Sequence, residues 1–370
     1  MVCMDGPHRT ESGIGRTRVI LVSGSFPPDA CGVGDYTYRL VSALPKQTIS
    51  VRVFTTTAPA RSLDPELDVC PTVRRWSFIG LPNLFRRIKV ADPDIVHLQY
   101  PTVAYGAGLL PQLLVSTRRP FIVTIHEASA SHILRRLALY PFLMFADHVV
   151  ATTSFEADYL TRMYPPVRRR LSVIPIGSNI PAGLARSRHR RVVVYFGLIA
   201  PNKGLEDFLS LAQSAQEWGE SWDIRIIGKV PNKWHSYADG LYEASRGLPL
   251  TWLLDLSEDK VADELAGASV AYLPFPDGAS SRRSSLAAAM VNGVPTITTH
   301  GAATPRELMA RDNILYADSP AIALERIREV FSNPQLSQSL SSGALRYGKS
   351  FTWARIAEQH VGLYRDVVTN

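Results

Sequence analysis

Apolar, β-branched runs recur along this chain at intervals long enough to hold a helix between them. In the first half they are RVILVSG (18–24), SVRVFTT (50–56), DIVHLQ (94–99), FIVTIH (121–126), HVVATT (148–153) and LSVIPI (171–176). The second half restarts the pattern with RVVVYFG (191–197), WDIRIIG (222–228), LTWLL (250–254), SVAYLP (269–274) and VPTITT (294–299). Continuous apolar runs, rather than alternating ones, predict strands of a parallel sheet covered by helices on both faces. Between the two sets lies PAGLARSRHR (181–190), polar, basic and without periodicity, which predicts a linker. The expected fold is α/β, with two doubly wound parallel-sheet domains over 18–185 and 186–350. A disordered tail is expected over 1–17.

A length of 370 residues is comfortable for two domains, and 46% hydrophobic with 20% charged residues is ordinary globular composition. The most apolar stretch, LALYPFLMFA (137–146), is shorter than the roughly 20 residues that span a bilayer and contains Pro141. It predicts a buried core helix. The first 17 residues lack the apolar segment of a secretory signal. Cys3, Cys31 and Cys70 show neither a CxxC nor a metal spacing, which fits a reducing cytoplasm.

Charge changes the picture more. The net charge is +7, yet residues 1–180 carry 20 Lys+Arg against 13 Asp+Glu, while residues 181–370 carry 20 against 20. The excess recurs as pairs such as Arg74-Arg75, Arg86-Arg87, Arg118-Arg119 and Arg135-Arg136, and as the triplet Arg168-Arg169-Arg170. One-sided charge marks a surface that meets something anionic. No recognisable nucleic-acid module accompanies it. The expected partner is therefore an acidic acceptor or the inner face of an anionic membrane, touched peripherally by a cytoplasmic protein. The segment LPNLFRRIKV (81–90), which places Leu84, Phe85 and Ile88 beside Arg86, Arg87 and Lys89, is the expected anchor.

In open parallel sheets, ligands sit beyond the C-terminal ends of the strands. Gly32 and Gly34 follow the first strand and precede a helix. They serve either a turn needing φ > 0 or a close backbone approach to substrate. A dinucleotide fingerprint is opposed by the long loop and by threonines where a ribose-binding acid should end the second strand. Asp92-Pro93-Asp94 precedes its strand, at the wrong edge for a ligand, and reads as a turn rather than a metal site. His126, followed by Glu127, ends a strand and is either a satisfied core histidine or a site residue. Lys203, in PNKG before a helix, is either solvated or in reach of a phosphate. The most telling stretch is PDGASSRRSSLAAAMVNGVP (276–295). Arg282 and Arg283 stand at a helix end that already favours negative charge, and broken local rules mark functional sites. Ser284 and Ser285 are expected to cap the helix, whose free amides can hold a phosphate. A diphosphate is the expected tenant.

The segments SFPPDACGVGDYTYRL, PDIVHLQY, TIHE, IPIGSNI, FGLIAPNKGLEDFL and AAAMVNGVPTITT together resemble the family 4 glycosyltransferases, from about residue 18 to the end. The resemblance implies a GT-B architecture of two Rossmann-like domains with an inter-domain cleft, acceptor on the first and sugar nucleotide on the second. The ending, FTWARIAEQHVGLYRDV, then matches the family's last helix (351–370), which returns to the first domain. It further implies that Gly32 and Gly34 lie near the donor diphosphate, that His126 faces the transferred sugar, and that Lys203 contacts the diphosphate. The family's two glutamates, eight positions apart, fall on Ser280 and Ala288, and its arginine after Gly197 is Leu198. Asp277, Gly278, Ser280 and the arginine pair are expected to do part of their work. The implied activity is retaining transfer of a hexose from a nucleoside diphosphate sugar to a hydroxyl, a lipid-linked precursor of a surface polysaccharide being one candidate acceptor. Neither metal nor cofactor is expected. Two other readings stand beside it. One is a sugar-nucleotide-binding partner protein without transfer, favoured by the missing glutamates. The other is a sugar-nucleotide epimerase, opposed by the lack of a further acid/base cluster.

Overall fold

The computed structural model describes residues 15–29, 31–56, 64–106, 108–184 and 191–369. Residues 1–14 of the expected tail and 185–190 of the expected linker lie outside these. The chain divides into two compact units, Met1–Ile176 with Trp353–Asn370, and Gly177–Thr352.

The first unit is a seven-stranded, all-parallel sheet. Its strands are β1 (Thr17–Val22), β2 (Ile49–Thr55), β3 (Asp68–Pro71), β4 (Ile95–Tyr100), β5 (Phe121–Ile125), β6 (His148–Ala151) and β7 (Leu171–Val173), in the order β3-β2-β1-β4-β5-β6-β7. Its helices are α1 (Gly32–Ala43), α2 (Leu81–Ala91), α3 (Ile133–Leu137), α4 (Tyr140–Phe145) and α5 (Ser154–Met163). The apolar runs are continuous because both faces are covered. Val19 and Leu21 of β1 pack with Tyr36 and Leu40 of α1, whereas Ile20 and Val22 pack with Leu84 and Ile88 of α2. Full burial of one such side chain stabilises by about 1.5–3 kcal/mol.

The second unit repeats the plan with six parallel strands in the order β10-β9-β8-β11-β12-β13. In chain order it runs β8 (Val192–Leu198), α6 (Leu205–Glu217), β9 (Asp223–Lys229), α7 (His235–Ala244), β10 (Leu250–Leu254), α8 (Glu258–Gly267), β11 (Val270–Leu273), α9 (Ser284–Val291), β12 (Thr296–Thr298), β13 (Leu315–Tyr316), α10 (Pro320–Ser332) and α11 (Pro334–Gly348). The last helix, α12 (Trp353–Thr369), belongs to the first unit, where its Ile356, Ala357 and Tyr364 share a core with Tyr36 and Leu40 of α1.

Three expectations need correction. The segment 81–90 is no membrane anchor: Leu84 and Ile88 are buried in the core and Phe85 packs against it, so the apolar face is already used. LALYPFLMFA is only half core. Leu139, Phe142 and Leu143 are buried, while Leu137, Met144 and Phe145 are exposed. Its end is clasped by Arg170, whose guanidinium donates to the carbonyls of Leu143, Met144 and Ala146 at 2.6–2.8 Å, a favourable partner for a helix C-terminus. One arginine of the basic triplet is thus structural. Strands β3 and β13 were not foreseen. Both are edge strands, of four and two residues. The Asp92-Pro93-Asp94 turn is found as expected: Asp92 is the left-handed C-cap of α2, and both carboxylates pair with Arg18. No helix among the described residues is long and apolar enough to cross a membrane.

Candidate active site

In the second unit the strand order reverses between β8 and β11, and ligands of such sheets sit beyond the strand ends at that point. The segments that meet there are 199–203 after β8 and 274–283 after β11. Two glycines make the meeting possible. Gly204 has φ +80°, and a Cβ on it would fall 1.9 Å from the Pro274 carbonyl oxygen. Gly278 has φ +87°, and its Cβ would fall 2.4 Å from the Gly301 nitrogen. Both need left-handed backbone and lack of a side chain. The Tyr195 hydroxyl, donating to the Lys203 carbonyl at 3.2 Å, holds the first segment down.

Lys203 is thereby brought beside Arg283. Burial and the Arg283 charge hold its ammonium below the usual lysine range, and it has no ion-pair partner among the described residues. The Arg283 guanidinium lies over the Phe275 ring at 4.7 Å and pairs with Asp277. Its side chain is only 16% exposed, and burial lowers its pKa. Arg282 is exposed.

Here the sequence reading is corrected twice. Ser284 and Ser285 do not cap α9, because Arg283 occupies the N-cap, with its amide donating to the Ser280 carbonyl at 3.0 Å. No side chain caps the helix, so its first-turn amides are left for another acceptor. Nor do the two arginines face the helix end uncompensated, since Asp277 already neutralises Arg283.

Next to this point lies a cavity of about 320 Å3, lined among others by Gly197, Leu198, Lys229, Asp255, Glu258 and Ser284. Gly197 faces α9, and a Cβ there would stand in ordinary contact with the Ser285 hydroxyl, at 3.4 Å. Asp255 and Glu258 were missed by the sequence reading. The strand-edge rule, applied to the residues after LTWLL, would have found both. Ala288 is fully buried.

In the first unit the order reverses between β1 and β4. The loops after these strands are tied together by the Gly24 amide donating to the Tyr105 hydroxyl at 2.9 Å. Gly32 and Gly34 lie in the first turn of α1, and neither has positive φ, which removes the turn reading. At Gly34 a Cβ would stand 3.1 Å from the Ser25 carbonyl oxygen, so the loop crosses the helix start closely. Gly32 has open space around it.

His126 leaves β5 with its amide donating to the Tyr100 carbonyl at 2.8 Å. Its ring meets the Tyr36 ring edge-on at 4.7 Å, and burial pushes its pKa down to about 3. The neutral ring donates from Nε2 to Gln99 Oε1 at 2.9 Å, leaving Nδ1 as an acceptor. Gln99 Nε2 lies 3.2 Å from His97 Nε2, and His97 Nδ1 lies 2.8 Å from the Tyr364 hydroxyl of α12. Glu127 is exposed. The loop after it is anchored by buried Glu156, which accepts from the Ala128 and Ser129 amides at 3.0 Å and from the Ser129 hydroxyl at 2.6 Å. The Thr153 hydroxyl in turn accepts from the Glu156 amide at 3.0 Å. His97, Gln99 and Glu156 were not singled out from the sequence. Only Glu156 left a local signal, the T-x-x-E of a helix start.

The candidate residues thus gather at two sheet edges. Gly32, Gly34, His126 and Glu127 lie at the C-terminal edge of the first sheet. Gly197, Lys203, Asp277, Gly278, Ser280 and the 282–285 stretch lie at that of the second.

Residues 30–180 match the sequence profile of Glycosyltransferase Family 4. A D-inositol 3-phosphate glycosyltransferase of Streptomyces avermitilis is 23% identical over 247 residues, which are 59% of this chain and 52% of that protein. A GDP-mannose:cellobiosyl-diphosphopolyprenol alpha-mannosyltransferase of Xanthomonas oryzae is 26% identical over 234 residues, 57% of this chain and 60% of the relative. The chain therefore spans about half the length of the curated relatives it matches. Among solved structures, Anabaena HepE in complex with UDP superposes with a TM-score of 0.72 at 15% identity, over 95% of this chain and all of that one. That likeness, with two parallel α/β sheets in each chain order described above, bears out the GT-B fold. Over residues 30–180 the chain is thus similar to the family 4 glycosyltransferases, and the relatives and the fold point the same way.

Proposed function

We propose that the chain transfers a hexose from a nucleoside diphosphate sugar to a hydroxyl acceptor, with retention at the anomeric carbon. The observation that carries this reading is the unpaired Lys203 ammonium beside Arg283, at the uncapped start of α9. Two cations and free helix amides suit a diphosphate. Breaking the anomeric bond leaves charge on the departing diphosphate, and a preorganised cationic site stabilises that charge as it develops. Neutral His126, with an open Nδ1, is suited to accept a hydrogen bond from a hydroxyl of the sugar. The relatives' names speak for such a donor: one is a GDP-mannose-dependent mannosyltransferase acting on a diphosphopolyprenol, and HepE binds UDP. We extend this to a lipid-linked acceptor presented at an anionic membrane surface, in keeping with the charge excess of the first half.

A panel of labelled sugar nucleotides, followed for nucleoside diphosphate release with and without prenyl-linked acceptors, tests the proposal. Lys203→Ala is expected to lose about 10- to 100-fold in turnover, from a charge-assisted contact of about 1.5–3 kcal/mol. Unchanged turnover would remove Lys203 from the mechanism. A second reading, donor binding without transfer, is favoured by the absence of both family glutamates, at Ser280 and Ala288. Tight nucleotide binding with no release on any acceptor would select it.

A further inference from the structure

A cavity of about 760 Å3 opens in the first unit between the short 3-10 turn Pro111–Ser116 and the α3–α4 segment. That size lies within the roughly 300–1,000 Å3 of small-molecule sites. Its floor is formed by Tyr100, Gln112 and Ala138, all buried, and its rim by Leu109, Leu134 and Leu137, which are 62%, 68% and 55% exposed. Three exposed leucines around one opening are not scattered surface residues but a single apolar collar.

The polar groups divide by depth. Arg135 and His132 are exposed at the rim, where Arg135 donates to the Gly106 carbonyl at 3.4 Å. Gln112 sits at the floor, 4% exposed. Its Nε2 donates to the Tyr100 hydroxyl at 3.2 Å and the Ala138 carbonyl at 3.1 Å, while its Oε1 has no donor among the described residues. A buried acceptor without a partner is unfavourable and suits a ligand hydroxyl. The floor is also next to the chemistry, because the Tyr100 carbonyl accepts the His126 amide at 2.8 Å.

We propose that this cavity is the subsite for the lipid phosphate–sugar junction of the acceptor. The sugar enters toward Gln112, the phosphate meets Arg135 and His132, and the hydrocarbon chain leaves across Leu109, Leu134 and Leu137. This deepens the proposed function and rests on its lipid-linked acceptor. The excess positive charge of the first half complements the phosphate, and the collar replaces α2 as the apolar surface of this unit.

The test uses the full chain and three probes: farnesyl phosphate, its glucose ester, and inorganic phosphate. Farnesyl phosphate is expected to bind at least tenfold tighter than inorganic phosphate. Leu134→Gln with Leu137→Gln, at exposed positions that leave the fold intact, should abolish that preference, and Arg135→Ala should weaken farnesyl phosphate binding about tenfold. Gln112→Leu should lose only the added affinity for the glucose ester. Equal binding of farnesyl and inorganic phosphate, or no effect of the leucine pair, overturns the proposal. So does binding solely to vesicles of phosphatidylglycerol and phosphatidylcholine, which would make the collar a bilayer contact. A dimer that the leucine pair dissociates, without lipid binding, would make it a self-association face and equally overturn it. UDP and GDP titrations of the same samples separate the two readings. Loss of nucleotide binding alone counts against the donor assignment, and loss of farnesyl phosphate binding alone counts against the subsite.

Discussion

Arg283 differs from the residue foreseen in the sequence. Two adjacent arginines at a helix start break the local charge rule and suggest a pair waiting for an anion. In the structure Arg283 stacks on Phe275 and pairs with Asp277. A cation–π contact is worth about 0.5–1 kcal/mol at exposed sites and about 2 kcal/mol when desolvated, so Arg283→Ala, at a side chain 16% exposed, should lower apo stability by about 1–2 kcal/mol in urea melts. Arg282→Ala, at an exposed position, should change it less. Asp277 is the group that competes with a diphosphate for Arg283. Since its carboxylate is mostly exposed, the pair itself contributes little. Asp277→Asn is therefore expected to tighten nucleoside diphosphate binding severalfold by titration calorimetry, and a weaker dissociation constant would mean that Asp277 holds Arg283 in its binding pose.

At the scale of elements, the backbone conformation of single glycines decides where site residues stand. Gly204→Ala forces both a strained left-handed residue and a 1.9 Å contact with Pro274. The expected outcome is a shift of the α6 start, loss of donor turnover comparable with Lys203→Ala, and a lower melting temperature. Unchanged kinetics would show that Lys203 does not depend on this junction. The central strands were legible because burial on both faces writes an uninterrupted apolar run. Strands β3 and β13 were not, since DVCP and LY are too short to carry any period. The opening at α3–α4 was hidden for a related reason: LALYPFLMFA lists apolar residues without saying which face finds a partner. The candidates Gly32, Gly34, Lys203 and His126 rest on position alone, each following a strand. The Gln99–His97–Tyr364 chain behind His126 could not be, because His97 and Tyr364 are 267 positions apart in sequence and meet only once α12 has packed.

At the scale of the whole molecule, the buried histidines among the described residues are distributed unevenly. His97, His126 and His360 are all in the first unit, where burial holds His126 at about 3, His360 at about 4 and His97 well below its usual range. In the unfolded chain each binds a proton near pH 6.5. Below that pH the unfolded state therefore holds more protons than the folded one, and stability falls as the pH drops toward 4. The slope reaches about 1.4 kcal/mol per pH unit for each histidine. His235 and His300, in the second unit, are exposed. Hydrogen exchange between pH 7.5 and 5 should thus show the first unit opening while the second stays protected, and equal loss in both would refute the assignment.

The return of α12 to the first unit also has a consequence for how the chain is made. Residues 353–369 are the last part of that unit to leave the ribosome, after all of the second unit has been synthesised. Until then Tyr36, Leu40 and His97 lack the helix that covers them. The second unit, built from one continuous stretch, can close during translation, so the half of the protein encoded first is the half completed last. A nascent chain stalled with residue 352 at the tunnel exit should already protect the second unit from protease while leaving the first one cleavable. Release of the remaining residues should protect both.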